Sequence, residues 1–368
     1  MDPLNRLVFL FGSGISIPGG LPSTDKITAT VLPTDRGNRP NTMVAFLGVV
    51  QDLVNEYFEE QGRSANYEDL YYACKQLSGH KSGNFENPLI LPFIQHIRPL
   101  FPETDVYDLA EEAAKHIAIV VVKQLSKPPR ALDHLSFIYD ACVASQYDGC
   151  NVFTLNHDRL LETYLQSRLV EFVDGFGQSI NGSVRCWHPE VFQDKTARSR
   201  LFKLHGSLDW YRMRPDGAGW EEEVVGISSE RYLGDSRAAD GRRMINMDDG
   251  PLILIGTFNK MLEYNSGIFL DLLCQFHFRL RVSRRLIVCG YGFGDKGINT
   301  QIVEWLYRDR TNRLFVIHPD PDGLAFVARG AIANKWHDLL KTTKLVVIPK
   351  RVEDLTFDEL QEVLIRNE

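Results

Sequence analysis

Six short apolar runs, each followed by a stretch of helical character, limit what this chain can fold into more than any other feature of it. "LVFLF" (7–11) leads through a glycine turn to "PSTDK", where Ser23 or Thr24 can cap a helix. "CNVFTL" (150–155) leads into "DRLLETYLQSRL", whose Leu160, Leu161, Tyr164 and Leu165 share one helical face. "PLILI" (251–255), "RLIVCG" (285–290), "LFVIH" (314–318) and "KLVVIP" (344–349) repeat the alternation. Alternating strand and helix signals of this kind favour a parallel sheet with crossover helices. The predicted fold is therefore α/β, a doubly wound, mostly parallel Rossmann-like sheet.

Between residues 33 and 130 the strand signal disappears, and "AFLGVVQDLVNEYF", "YEDLYYACKQL" and "DVYDLAEEAAKHIAIVVVKQL" read as helices. The expected organisation is a sheet domain made of 1–32 plus 131–368, interrupted by a helical insertion over 33–130. Residues 207–250, with Trp210, Tyr211 and Trp220 among glycines and charges, show weak periodicity and read as irregular.

At 368 residues the chain is long enough to bury a substantial core. Its formal net charge of −7 argues against direct nucleic-acid binding driven by the charge of the whole surface. The first apolar run stops at Gly12 with no basic segment before it, and "HIAIVVVKQL" is too short to span a bilayer, so no signal peptide and no membrane anchor is expected. The six cysteines show no CxxC pairing. Reduced thiols in a cytoplasmic setting are the expectation, not a disulfide scaffold or a zinc ribbon.

Three polar motifs each follow an apolar run. "GSGIS" (12–16) has the glycines that let backbone N–H groups approach a phosphate, or that a tight turn requires. "TLNHD" (154–158) lies where a parallel strand ends, the edge along which open α/β sheets bind ligands; Asn156 or Asp158 can equally cap the next helix. "KLHGS" (203–207) ends a short strand on His205, a structural residue or a general acid/base near neutrality. Brought to one sheet edge, the three would offer a phosphate cradle, an amide with a carboxylate, and a base. That combination suits a dinucleotide whose glycosidic bond is to be broken.

Taken in order along the chain, these motifs resemble the sirtuin superfamily. "GSGIS" is similar to the family's GAGIS loop, "TLNHD" to its TQNID, and "LHG" to the strand that carries its catalytic histidine. "GPLILIGT" (250–257), "VCGYGFGD" (288–295) and "VIHPD" (316–320) resemble its later strands and nucleotide loop. The resemblance implies that Gly12, Ser13, Gly14, Ile15 and Ser16 hold the pyrophosphate and nearby ribose of NAD. It makes Asn156 the residue that orders the nicotinamide ribose and the attacking water, and Asp158 the acceptor for the nicotinamide carboxamide. It makes His205 the general base, with Gly290, Tyr291 and Asp320 on the adenosine side.

Departures from the family pattern bear on the reaction. The deacylating sirtuins carry a four-cysteine zinc module after the histidine, whereas 207–250 here has no cysteine, so no metal is expected. Their proline-aspartate-phenylalanine-arginine run is replaced by "GLPSTDK", and His157 stands where isoleucine is usual. With "GYGFGDKGIN" and the helical insertion, the chain is most similar to the sirtuin-like NAD hydrolases of bacterial antiphage defence. The resemblance implies an NAD+ glycohydrolase that depletes NAD in abortive infection. The alternatives are a zinc-less protein deacylase and a non-catalytic subunit that binds NAD or ADP-ribose. An unregulated NAD hydrolase would kill its own host, so a homo-oligomer with an activating partner is expected; the resemblance implies that the partner is a HerA-type DNA translocase or a short Argonaute.

Overall fold

A computed structural model describes residues 5–32, 42–60, 62–83, 87–178, 182–256, 260 and 263–367. The chain divides into two compact units. One comprises Met1–Leu21, Pro128–Ile253 and Glu263–Glu368; the other comprises Pro22–Lys127 and Leu254–Leu262. The expected boundary at residue 33 lies outside the described residues. In the structure the helical unit starts before it, at Pro22.

The first unit is built on seven strands: β1 (Leu7–Phe11), β2 (Cys150–Thr154), β3 (Phe172–Val173), β5 (Ser199–Lys203), β9 (Arg285–Cys289), β10 (Arg313–Ile317) and β11 (Leu345–Ile348). Their order is β11-β10-β9-β1-β2-β5-β3, and every pairing is parallel. The chain winds one way from β1 through β2, then returns to the other side of β1 with β9, β10 and β11. This is the doubly wound, Rossmann-like sheet expected from the alternation. Strands β1, β2 and β5 are buried along their whole length, as strands covered on both faces must be.

The two faces are packed by different aromatic sets. Phe9 and Phe11 stack at 5.5 Å, with Phe137 edge-on to both from the helix Ser136–Val143. On strands β2 and β5, Phe153 and Phe202 stack at 4.4 Å, and Phe153 meets Phe276 edge-on from the helix Gly267–Arg281. The helix after β2, Leu160–Ser167, buries Leu160, Leu161, Tyr164 and Leu165 on the face expected from their spacing.

The region read as irregular, 207–250, contains three strands, which pair with one that precedes it. Strands β4 (Val184–Cys186), β6 (Tyr211–Pro215), β7 (Val224–Ser228) and β8 (Met244–Asn246) form an antiparallel sheet in the order β4-β7-β6-β8. Its buried core is Val184, Met213 and Met244. Three to five residues per strand leave too few alternations to be read as a period. Conversely, the apolar run 251–255 adds no strand to the parallel sheet. Ile253 makes an isolated bridge to Gly206, and Leu252 N–H donates to the Trp210 carbonyl at 2.7 Å.

The second unit is helical. Helix α1 (Thr24–Val31) is capped by Ser23, whose side chain accepts from Lys26 N–H. Helix α2 (Thr42–Glu59) follows, then α3 (Tyr67–Ser82), α4 (Leu91–Ile97) and α5 (Val106–Leu125). Asn66 and Asp69 close a capping box at the start of α3, and Arg63 pairs with Asp69 at 2.7 Å. On α5, Ala110, Ala113, Ala114, Ile117 and Val121 are all buried; the small side chains allow close helix packing.

Candidate functional site

The register of the parallel sheet lines up the ends of its central strands. Phe11 is opposite Thr154 on one side and Cys289 on the other; Thr154 is opposite Lys203, and Ile317 is opposite Cys289. The residues that follow, Gly12, Asn156, His205 and Gly290, therefore emerge side by side at one C-terminal edge. The strand order reverses beside β1, and such a switch point opens the crevice in which doubly wound sheets take ligands.

A hydrogen-bonded set joins the first two motifs. Asn156 Nδ2 donates to the Gly12 carbonyl at 3.1 Å and to Ser16 Oγ at 3.0 Å, and Ser16 Oγ donates to Asp158 Oδ2 at 2.9 Å. The Gly12 carbonyl can only accept, which fixes the orientation of the Asn156 amide. With both N–H groups of that amide engaged, its Oδ1 is the atom that can meet a water or a sugar hydroxyl. Asp158 Oδ1 accepts from Leu160 N–H at 3.0 Å, so the carboxylate both caps the helix and ties down the glycine loop. All three side chains are buried. Ser13 is exposed at the tip of the loop, and Ile15 is buried beneath it.

The glycines of this loop have a reason of their own. A Cβ on Gly12 would lie 2.6 Å from Tyr291 Cα, and one on Gly14 would lie 2.6 Å from Gly290 Cα. The two loops are in backbone contact, with Gly12 N–H on the Cys289 carbonyl and Gly14 N–H on the Gly290 carbonyl. The N–H groups of Ile15 and Ser16 likewise go to the carbonyls of Gly12 and Ser13. The loop is thus held shut by its own amides and not left open as a row of donors. His134, buried, adds a contact of 2.8 Å from Nε2 to the Ile15 carbonyl.

His205 is 3% exposed. Its Nε2 lies 2.6 Å from Tyr264 Oη and 3.0 Å from Asp295 Oδ2, and Tyr264 donates to the same carboxylate oxygen at 2.8 Å. The His157 ring lies 6.2 Å from it, centroid to centroid. Gly206 turns the chain after His205 with φ +81°, and the Leu252 carbonyl comes so close that a Cβ would meet it at 2.1 Å. Only glycine fits there.

Lys203, at the end of β5, is buried against this site. It pairs with Glu162 at 2.8 Å and donates to the Asp158 carbonyl. Burial raises the Glu162 carboxyl above its ordinary 4.5, against the lowering effect of Lys203.

The remaining expected residues lie further out or face inward. The Tyr291 hydroxyl donates to Asn299 Oδ1 at 2.8 Å and accepts from Asp295 N–H, which turns it into the protein. Asp320 is exposed and caps the helix Pro321–Val327 through Gly323 N–H. Sequence reasoning did not single out Tyr264, Asp295, Lys203, Glu162 or His134. Asp295 carried the one available signal, a polar residue just before a helix, and it does accept from Ile298 N–H at the start of Lys296–Arg308.

No curated protein matches this chain. Among solved structures, a Sir2 homologue in complex with NAD is 13% identical and aligns over 99% of this chain and 91% of its own, with a TM-score of 0.39. A Sir2 enzyme solved for mechanism and regulation is 11% identical and aligns over 98% and 94%, with a TM-score of 0.42. The family model for the SIR2-like domain matches residues 151–348, which is more than half of the chain and runs from β2 to the end of β11. The chain belongs to the SIR2-like family.

Proposed function

We propose that this protein is an NAD+ glycohydrolase that releases nicotinamide and ADP-ribose. What supports the reading is the register: adjacent strands bring Asn156 and His205 to neighbouring positions on the sheet edge, with the Ser16–Asn156–Asp158 set joining that edge to the first glycine loop. Nicotinamide in NAD is a cationic leaving group. The protein has to place a water, stabilise the cationic sugar that develops and take up one proton.

In this reading Asn156 Oδ1 holds the water against the anomeric carbon, while Asp158 keeps acceptor capacity for the carboxamide N–H. The C–N bond breaks with its electron pair going to nicotinamide. The water oxygen bonds to the anomeric carbon, and its proton passes to His205. Each positioned group of this kind contributes about 10²–10⁴-fold. Asn156→Ala and His205→Ala should each lower nicotinamide release by about that factor while the melting transition is kept. Full activity in both would defeat the assignment.

The test begins with the purified chain and NAD alone, its products resolved by chromatography. A deacylase would consume NAD only with an acylated peptide present, and a binding subunit would hold NAD without releasing nicotinamide. We further propose a role as the NAD-depleting effector of antiphage defence, working as a homo-oligomer with an activating partner of the HerA-type translocase or short Argonaute kind. A silent result with NAD alone is therefore repeated with the neighbouring gene product.

A further inference from the structure

We infer that Lys203 is a positioning residue for the proposed NAD cleavage: by donating to the Asp158 carbonyl, it fixes the Asn156–Asp158 turn against the strand that leads into His205. That Lys203 fixes the turn stands on geometry; its effect on turnover rests on the NAD-cleavage reading.

Lys203 is the last residue of β5, two positions before His205, and it is in register with Thr154, two positions before Asn156. Alternation along the strand puts its side chain on the face of Leu201, which shares a core with Leu160 and Leu161 of the helix after β2. From that face the buried ammonium group reaches the Asp158 carbonyl and Glu162 Oε1, the latter at 2.8 Å. The backbone joins the same two segments through Leu204 N–H on the Thr154 carbonyl at 2.9 Å and Leu208 N–H on the His157 carbonyl at 3.0 Å. Lys203 adds a tie at the residue whose carboxylate holds both Ser16 and Leu160 N–H, and Asn156 is anchored to the same Ser16. A shift of the Asp158 carbonyl therefore moves both polar side chains of the motif relative to His205.

Stability alone does not call for a charge at this position. An apolar pair of similar volume is often as stable as a buried ion pair, or more so. Burial raises the Glu162 carboxyl above its ordinary 4.5 in spite of Lys203, and among the described residues nothing hydrogen-bonds Glu162 Oε2. The attraction within the pair thus leaves part of its desolvation uncompensated. What the pair supplies is a donor long enough to reach Asp158 from β5.

The deciding experiment compares two variants with wild type. Lys203→Met/Glu162→Leu removes the donor and leaves no charge of the pair behind; Glu162→Gln keeps the donor and removes its counter-charge. Each is followed by thermal melting, by amide hydrogen exchange and by nicotinamide release over a range of NAD concentrations. The double variant should keep the melting transition of wild type. Its Asn156 and Leu160 N–H groups, held within the turn by Thr154 Oγ1 and Asp158 Oδ1, should exchange at least about tenfold faster. Its kcat should fall at least about tenfold, and by more than KM rises, since a displacement of about 1 Å at the reacting groups costs about 10²-fold. Glu162→Gln should be the less stable of the two variants and the faster. Stability and turnover that move in opposite directions are not the signature of a merely structural pair.

Unchanged exchange of Asn156 and Leu160 in the double variant overturns the inference, as does wild-type turnover in it, or turnover in Glu162→Gln slower still. A double variant that does not fold marks the pair as structural and overturns it too. Absence of NAD cleavage by the wild-type protein counts against the proposed function instead, and the exchange rates still decide whether Lys203 fixes the turn.

Discussion

Ser16 shows how little of this site rests on single side chains. Its hydroxyl accepts from Asn156 and donates to Asp158, so it passes orientation from the glycine loop to both polar residues of the second motif. Ser16→Ala removes the link and leaves both partners buried with a lost bond, a change worth about 1–3 kcal/mol. Nicotinamide release should fall at least about tenfold in Ser16→Ala, since about 1.4 kcal/mol of misplacement at the reacting atoms is a factor of ten. Wild-type kinetics in that variant would mean that Asn156 is held by the Gly12 carbonyl alone. The same residues show where sequence reasoning stops. Asn156, Asp158 and Ser16 were legible because each follows a strand end in a polar motif. Tyr264 was not, because a tyrosine in "LEYNSG" has no periodicity or spacing that ties it to a histidine 59 positions earlier.

At the level of elements, a buried ion pair joins β5 to the helix Leu160–Ser167, beside the apolar core that Leu201, Leu160, Leu161 and Leu165 share. Lys203 and Glu162 meet at 2.8 Å with side chains 4% and 10% exposed, and Lys203 also holds the carbonyl of Asp158. Burial has already raised the Glu162 carboxyl, so the pair is only partly compensated. Lys203→Met takes away the cation that offsets this and should cost about 3–5 kcal/mol near neutrality. The sign with pH follows from the direction of the shift. A carboxyl raised on folding contributes stability that is full below its unfolded value and is lost as pH rises through its folded value. Without Lys203 the rise is larger, so Lys203→Met should be penalised more at pH 8 than at pH 5 in denaturant titrations. An equal penalty at both would show that Glu162 is not the group responsible. Elements of this sort were legible where both faces are buried, as in the uniformly apolar "LVFLF" and in "CNVFT", whose cysteine, valine and phenylalanine outweigh its two polar residues. The antiparallel strands β6 to β8 were not, because their inward positions are single residues such as Met213 and Met244 among charges.

For the whole molecule, the proposed activity raises a problem that neither unit answers by itself: an enzyme that cleaves NAD freely would drain the cell that makes it. A gate is therefore expected, and mass action supplies one if the competent state is an assembly. In that case the specific activity of the purified chain should rise with its own concentration instead of staying constant. It should rise further when the partner is added, by the ratio of its affinities for the active and inactive states; a shift from 1:99 to 99:1 requires about a 10⁴-fold difference. Size-exclusion chromatography with light scattering, run beside NAD turnover over the same concentration range, checks this. A monomer with constant, high specific activity at every concentration would remove the need for a partner and leave regulation to be sought within the chain itself.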